Sequence, residues 1–215
     1  MSSSAKTSRK KRHVARPDVR TLLLDAAEAL VREEGYGAAT ARGIASRVGL
    51  KHQVVFYYFG TQDELLLALF QRAAESHRER LKAALSSDRP LSAMWQVMRD
   101  PEATRFALEF MALANHNDEI RAAISKNAER VRALETEAVA RYLEKRGIQP
   151  RLSPQLVSIL TNAVARLLVQ EAMVGIHAGH EEAEALIERS FRDFEALGES
   201  NAEVEPIVAA MSPSR

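Results

Sequence analysis

The chain has 215 residues, carries a formal net charge of +1 and is 46% hydrophobic but only 6% aromatic. This length favours one or two domains, and the absence of cysteine excludes disulfides, thiolate metal sites and cysteine nucleophiles. There is no uninterrupted run of about 18 apolar residues, so we expect no membrane span and a cytoplasmic location. Abundant Ala, Leu, Glu and Arg favour helices, and strand-like alternation is hard to find.

Charge is distributed unevenly along the chain. Residues 1–60 contain 11 Lys or Arg and 5 Asp or Glu, a net charge of +6, whereas the remainder carries −5. Residues 1–16 are rich in Ser, Lys and Arg and have too few apolar side chains to order themselves. We interpret them as a basic flexible arm, and the positive charge indicates a polyanionic partner for the N-terminal part.

Four helices are predicted in the first 85 residues. They cover the segment from Pro17 to just before Gly35, residues 41–48, residues 51–58 and a long segment from 61 toward Leu85. Gly35 suits a helix C-terminus, and Thr40 is a suitable N-cap. The pattern from Thr61 to Glu64 is typical of a capping box.

The two short helices have the spacing of a helix-turn-helix. Ala45 must be small so that the helix axes can approach, and Gly49 occupies the turn, where a positive φ is often required. Apolar side chains fill the space between the helices, at Ile44, Val48, Leu50 and Val55. Such a pair allows the second helix to enter a major groove.

The surrounding residues resemble the TetR family of transcriptional regulators. The resemblance rests on Gly35-Tyr36, Thr40, Ile44-Ala45, Gly49 and the run from Phe56 to Phe59, which an acidic long helix follows. It covers about residues 17–70, and beyond them only the helical architecture is similar. The resemblance implies an all-α protein. An N-terminal three-helix DNA-binding domain would be joined by a long fourth helix to a C-terminal helical ligand-binding and dimerisation domain.

The resemblance also implies which residues contact DNA. Thr40 and Arg42 begin the first short helix, where backbone N–H groups and a cation meet phosphate. At the start of the recognition helix, Gln53 is expected to pair with adenine and Val54 to contact a thymine methyl. The full set of expected contacts is Thr40, Arg42, Lys51, His52, Gln53, Val54, Tyr57 and Tyr58. The alternative for Arg42, His52 and Gln53 is an ordinary solvated surface.

Two residues depart from the family pattern. Phe56 stands where the family usually has tyrosine, which predicts the loss of one phosphate contact. Gln62 stands where the family often has lysine, which predicts a neutral contact in place of a charged one. The basic arm between Lys6 and Arg16 is expected to compensate by reaching into a minor groove.

Five further helices are predicted in the second half. They cover about 91–99, 102–115, 118–146, 153–177 and 181–197, with Ser153 and Pro154 marking one start clearly. We therefore divide the chain into the arm, a DNA-binding domain over 17–62, a ligand-binding and dimerisation domain over 63–200 and a tail over 201–215.

The last two helices each carry an apolar stripe. An amphipathic helix of this kind is often an ordinary core helix, but the family resemblance favours a four-helix dimer interface. The expected interface residues are Leu156, Leu160, Ala163, Leu167, Ile187, Phe191 and Phe194. Two copies also suit DNA, because one recognition helix contacts few bases.

Bulky, adaptable side chains between these two regions predict a ligand pocket. The expected lining is Met94, Trp95, Met98, Phe106, Phe110 and Met111, with Asn115 and His116 as polar ends. This mixture suits an apolar or aromatic ligand, although plain core packing is an equal alternative for any one of these residues. His177, His180 and Glu181 have only a loose metal-like spacing, and a solvated turn explains them better.

The sequence thus predicts a homodimeric, sequence-specific DNA-binding regulator. We expect a repressor that a small-molecule effector releases from a double-stranded operator. The alternatives are an activator, a regulator without a small ligand, an enzyme that uses the apolar pocket, and a purely structural helical dimer. No catalytic constellation, metal site or cofactor motif is recognised, so we expect no enzyme and no cofactor.

Overall fold

The computed structural model describes residues 18–145, 147 and 152–196, and within them the chain is entirely helical apart from turns. The predicted all-α fold is confirmed. The helices are α1 (Val19–Glu34), α2 (Ala41–Arg47), α3 (Gln53–Phe59), α4 (Gln62–Leu85), α5 (Pro90–Met98), α6 (Pro101–Ala114), α7 (Asp118–Lys145), α8 (Pro154–Met173) and α9 (His180–Ala196), with a 3₁₀ turn over Tyr36–Ala38.

Local capping determines where several helices begin. The Thr40 hydroxyl accepts a hydrogen bond from the Gly43 N–H at 3.1 Å and caps α2. At α4 the predicted capping box is present: the Glu64 N–H donates to the Thr61 hydroxyl at 3.1 Å, and the Thr61 N–H donates to the Glu64 carboxylate at 2.8 Å. These bonds satisfy backbone donors that have no partner within the helix.

Glycines with positive φ mark where three helices end. Gly35 ends α1 with φ 87°, and Gly49 forms the turn between α2 and α3 with φ 69°. α8 stops at Met173, four residues before the predicted end, because the chain turns at Val174 and Gly175, whose φ is 82°. Left-handed backbone of this kind strongly favours glycine.

Two clusters of buried apolar side chains form the core. The first extends from α1 through α4 to α6 and the beginning of α7, and Phe70, Phe106 and Phe110 stack together within it. Helices α1 to α4 thus share one apolar core with α6. The second cluster surrounds Trp95 and joins the end of α4 with α5, α7, α8 and α9.

Helix α8 differs from the others in how much apolar surface it leaves exposed. By length and composition it is the one helix among the described residues that would be able to cross a membrane, yet most of its apolar stretch is not buried within the chain. Arg166 and Glu171 interrupt that stretch with charge.

Candidate functional site

The helix-turn-helix is held by a compact apolar contact. Ile44, Ala45 and Val55 are almost completely buried, and Val48 and Leu50 pack against them from the turn. The Leu50 N–H donates to the Ala45 carbonyl at 2.8 Å and closes the turn. The packing predicted for this motif is confirmed, and it fixes the angle between α2 and α3.

The N-terminal end of α3 presents polar side chains to solvent. Lys51, His52 and Gln53 are exposed, while Val54 is half-buried against the first core cluster. At the other end of the helix, Tyr57 is 83% exposed and Tyr58 is 39% exposed. A surface helix with this many exposed aromatic and polar groups is able to make phosphate and base contacts.

Arg42 and Lys51 are the cations available on this surface, since neither forms an ion pair with any residue the structure describes. Arg47, by contrast, is held by Glu33 at 2.7 Å. The Thr40 hydroxyl already caps α2, so this side chain positions the helix as well as facing outward. Phe56 is 43% exposed and its ring meets His52 edge-on.

Gln62 has a structural contact that the sequence did not indicate. Its side-chain amide donates to the Ala39 carbonyl in the segment before α2. The side chain thereby connects the first residue of α4 to the N-terminal end of the helix-turn-helix. The DNA contact predicted for the basic arm, residues 1–16, lies outside the described residues. So does the tail, residues 201–215.

Helix α1 is connected to α6 and α4 by charged groups. Arg32 pairs with Glu28 at 2.9 Å and with Glu102 of α6 at 3.5 Å. Arg72 of α4 contacts both Asp25 and Glu28 at 2.6 Å. Burial raises the pKa of Glu28, but hydrogen bonds from Arg32 and Arg72 outweigh this effect and hold its pKa below the usual range.

A second contact connects α6 to the chain just after α1. The Glu109 carboxylate accepts a hydrogen bond from the Tyr36 N–H at 2.9 Å. Together with the Arg32–Glu102 pair, it fixes α6 against α1 and the turn that follows it by two polar contacts.

A cavity of about 440 Å³ lies between α1, α4, α5, α6, α7 and α8. One wall is apolar and includes Phe70, Met98 and Phe106. Glu28 and Arg32 of α1 also line it, so the cavity reaches the helix that supports the helix-turn-helix. Its size lies within the range of roughly 300–1,000 Å³ that is usual for small-molecule sites.

The other side of the cavity is polar and is formed by α7 and α8. Glu135 is only 1% exposed and accepts hydrogen bonds from the Ser158 hydroxyl and, at 2.8 Å, from the Asn162 amide. Arg132 donates to the same Ser158 oxygen at 3.3 Å. Burial raises the pKa of Glu135, while these hydrogen bonds and the charge of Arg132 act against the rise without cancelling it.

Only some of the residues expected at the ligand site line this cavity. Met98, Phe106 and Met111 do, whereas Met94, Trp95 and Phe110 are completely buried in the two core clusters. Asn115 and His116 are exposed at the turn between α6 and α7. Three of the expected residues thus line the cavity, and the polar groups of its lining were not predicted.

Polar groups that line the cavity and were not predicted lie on α4, α7 and α8, outside the segment of α5 and α6 in which the pocket was expected. Among them are His77, Arg132, Glu135, Asn162 and Arg166. One signal was present: Glu135 follows Ile124, Ala128 and Val131 at helical spacing, so a carboxylate occupies a position where the pattern requires an apolar residue.

The residues expected at the dimer interface fall into two groups. Leu156, Leu160, Ala163 and Leu167 of α8 are exposed, and Leu167 is 52% exposed. Ile187, Phe191 and Phe194 of α9 instead pack against the second core cluster, with Phe194 against the ring of Tyr142. Leu186, which lies on the predicted apolar stripe of α9, is the large apolar residue that this helix leaves exposed.

The turn before α9 is less solvated than expected. His177 is exposed, but His180 is buried and its Nε2 lies 2.8 Å from the Glu171 carboxylate of α8. This pair ties the beginning of α9 to the end of α8.

Comparison with known proteins assigns both halves of the chain. Residues 23–69 match the bacterial regulatory proteins of the tetR family, and residues 77–194 match the C-terminal domain of BetI-type transcriptional repressors. The HTH-type transcriptional regulator CymR of Pseudomonas putida is 27% identical over 155 residues, 69% of this chain and 76% of that protein. An HTH-type transcriptional repressor of Mycobacterium tuberculosis is 38% identical, but over 32% of this chain and 37% of the repressor.

Solved structures share the fold. A transcriptional regulator from Saccharomonospora viridis in complex with choline aligns with a TM-score of 0.67 at 19% identity, covering 81% of this chain and 94% of that one. A TetR transcription regulator from Haloarcula marismortui aligns with a TM-score of 0.67 at 18% identity, covering 81% and 96%. The two sequence matches account for both the helix-turn-helix and the helical domain behind it. The chain therefore belongs to the TetR family of bacterial transcriptional regulators.

Proposed function

We propose that this regulator is a homodimeric repressor whose helix-turn-helix binds an operator, and that a small molecule with an apolar or aromatic body releases it. The observation that carries the proposal is the exposed polar surface of residues 51–53, where α3 begins. Buried side chains hold α2 and α3 in a fixed arrangement behind it. A fixed recognition surface of this kind suits docking in a major groove.

The contacts divide into two kinds under this proposal. Arg42, Lys51 and the hydroxyls of Tyr57 and Tyr58 bind phosphates and set the orientation of the protein, without reading sequence. Gln53 reads a base, with adenine as its preferred partner. Because Thr40 caps α2, its contribution is to direct the free N–H groups of that helix toward a phosphate.

The exposed side of α8 supports the dimer. Leu156, Leu160 and Leu167 lie on one stripe of a helix whose apolar stretch is mostly not buried in a single chain. A contiguous apolar patch of this kind marks an interaction surface. Family membership favours a second copy of α8 as the partner that covers this patch. It also favours the cytoplasm as the location of the protein.

The contacts of α6 support coupling between the cavity and the DNA-binding surface. Phe106 lines the cavity, and the Arg32 guanidinium of α1 lies 5.7 Å above its ring. A ligand that displaces α6 therefore acts on α1 through Arg32 and through the Glu109–Tyr36 bond. For such coupling, the conformation with α6 displaced and the conformation without it need to differ in affinity both for the operator and for the small molecule. This difference sets the coupling free energy.

The repressor role is favoured over activation because the C-terminal domain matches BetI-type repressors and a related mycobacterial protein is described as a repressor. The choline complex of the structural neighbour supports ligand binding in this fold. An enzyme is disfavoured, since the cavity offers a buried carboxylate already engaged by Ser158 and Asn162.

Selection of duplexes from a random pool tests the central claim. The full-length protein should enrich a near-palindromic sequence whose half-sites are about one helical turn apart or slightly more. Binding of the enriched duplex should weaken steeply with salt, because phosphate contacts release counterions. Failure to enrich any sequence would overturn the proposal, and transcription from a promoter that carries the enriched site would separate repression from activation.

A further inference from the structure

The charges that line the cavity are unequally paired. Arg32 and Arg72 are engaged by carboxylates of α1 and α6, and Arg80 contacts Asp100 at 2.6 Å. Burial and the nearby Arg80 lower the pKa of His77, so this imidazole is neutral at neutral pH. None of these groups leaves a free charge for a ligand.

Two arginines on the polar side are different. Arg132 donates to the uncharged Ser158 hydroxyl at 3.3 Å, and neither it nor Arg166 forms an ion pair with any residue in the described part of the chain. Glu135 does not neutralise both of them, because it is a single carboxylate beside two guanidinium groups. The polar side of the cavity therefore carries excess positive charge.

Both arginines line the same cavity, where Arg132 is half-buried and Arg166 is exposed. Glu135 of α7 hydrogen-bonds to Asn162 of α8. Arg132 precedes Glu135 by one turn, and Arg166 follows Asn162 by one turn. Residues three and four apart are neighbours on a helix surface, so the backbone positions of the two arginines flank this contact.

We propose that the effector is an organic carboxylate with an apolar body. Arg132 and Arg166 bind the carboxylate, and the body lies against Phe70, Met98 and Phe106 on the opposite wall. Guanidinium groups match carboxylates in both charge and planar geometry. This inference rests on the proposed function, because it names the chemical class of the molecule that would occupy the cavity.

A cationic ligand such as choline fits this cavity less well. The buried carboxylate that would attract it, Glu135, already accepts two hydrogen bonds, and the two arginines would repel a positive charge. The choline complex of the structural neighbour is therefore not expected to predict the ligand of this chain.

Matched probes that differ only in head group test the proposal. We would titrate the full-length dimer by calorimetry with 4-butylbenzoate, 4-butylbenzyl alcohol and 4-butylbenzyltrimethylammonium, with the octyl series octanoate, octanol and octyltrimethylammonium, and with choline. The carboxylate of a series should bind more tightly than its neutral and cationic counterparts. Arg132→Gln and Arg166→Gln should each weaken carboxylate binding by roughly 10- to 100-fold, the size expected for a hydrogen bond to a charged group.

Arg130→Gln is the matched control. This arginine is exposed on α7, does not line the cavity and should leave carboxylate binding unchanged. Tighter binding of a cationic or neutral probe, no binding of any probe, or equal loss in the Arg130 variant would overturn the inference. If a neutral or cationic probe releases the protein from the selected duplex, the carboxylate assignment is wrong but the proposed function stands. Failure to select any duplex would overturn the proposed function.

Discussion

At the residue scale, the proposed DNA contacts of the helix-turn-helix divide into those that orient the protein and those that read bases. Arg42 and Gln53 are both exposed and neither contributes to the core, so replacing them should not unfold the chain. Arg42→Ala should weaken binding to every duplex and reduce the salt slope by roughly one unit, because one phosphate contact is lost.

Gln53→Ala should behave differently from Arg42→Ala. It should relax the preference at one base pair by about 1–3 kcal/mol if Gln53 pairs bidentately with a base. Binding titrations against the selected duplex and its single-base variants, at several salt concentrations, distinguish the two effects. A uniform loss of affinity in both variants would show that Gln53 does not read a base.

Glu135 provides a pH-dependent prediction at the same scale. Burial raises the pKa of Glu135 in the folded protein. At pH values between the pKa of the unfolded chain and that of the folded chain, the unfolded state has therefore lost its proton while the folded state keeps it. The stability of the fold consequently falls as pH rises through this range. Glu135→Gln keeps the shape and an acceptor oxygen without the charge. The stability of the variant, compared with that of the unmodified protein, should increase as pH rises above about 4.5, the usual pKa of Glu.

Thermal unfolding of both proteins between acidic and slightly alkaline pH measures this difference. Glu137→Gln is the control, since Glu137 is exposed on the same helix and its side chain is 64% accessible. A Glu135→Gln variant whose relative stability decreases with rising pH would contradict the predicted direction.

At the element scale, helix starts were predictable where the capping residue is local. Thr40, Thr61 and Ser153 act within three residues of the groups they cap, so the pattern is visible in the sequence. α5 is different, because its N-terminal donors are satisfied from α9. The Glu195 carboxylate accepts from the N–H groups of Leu91 at 2.8 Å and Ser92 at 3.1 Å, and from the Ser92 hydroxyl at 2.5 Å. A contact across more than 100 residues leaves no local signal.

The Glu195 contact leads to a stability prediction. Glu195 is only 5% exposed, so Glu195→Ala would leave the α5 donors buried without a partner. The free energy of unfolding should fall by about 1–3 kcal/mol, the usual cost of such a loss. Asp193→Ala, at an exposed position of the same helix, should change it by less than about 0.5 kcal/mol. Denaturant titrations measure both, and equal values would contradict the capping role.

At the scale of the whole molecule, the arrangement of α8 and α9 leads to a test of the dimer. Leu167 is 52% exposed, whereas its neighbour Leu168 is buried in the second core cluster. Leu167→Asp should give a folded monomer, because the charge would be buried only in the dimer interface. Leu168→Asp should unfold the chain, and Phe194→Asp should also unfold it, since Phe194 packs within one chain.

Light scattering for mass and circular dichroism for helix content distinguish these outcomes. A folded dimer of the Leu167 variant would locate the interface on another surface. A folded monomer of the Phe194 variant would instead place α9 in the dimer interface, as its apolar stripe predicted.

The fold was predictable from sequence because helical periodicity and local caps specify each element, and the helix-turn-helix packing around Ala45 follows from side-chain size. The cavity was predictable only in its apolar part. Its polar side depends on how α7 pairs with α8, and sequence periodicity does not specify which faces meet. Trp95 shows the same limit: its indole packs against Phe191 and Arg99 rather than lining the cavity.

The proposed coupling between the cavity and the operator depends on the whole molecule. By linkage, an effector that weakens operator binding by some factor must itself bind the operator complex more weakly by the same factor, typically about 5- to 150-fold. Glu109→Ala removes the bond to the Tyr36 N–H and should reduce this factor, because α6 then makes one polar contact fewer with α1 and the turn that follows it. Arg105→Ala, at an exposed position of the same helix, is the control and should leave it unchanged. Calorimetric titration of an effector into free protein and into the operator complex measures the factor directly, and equal affinities in the unmodified protein would show that the cavity does not regulate DNA binding.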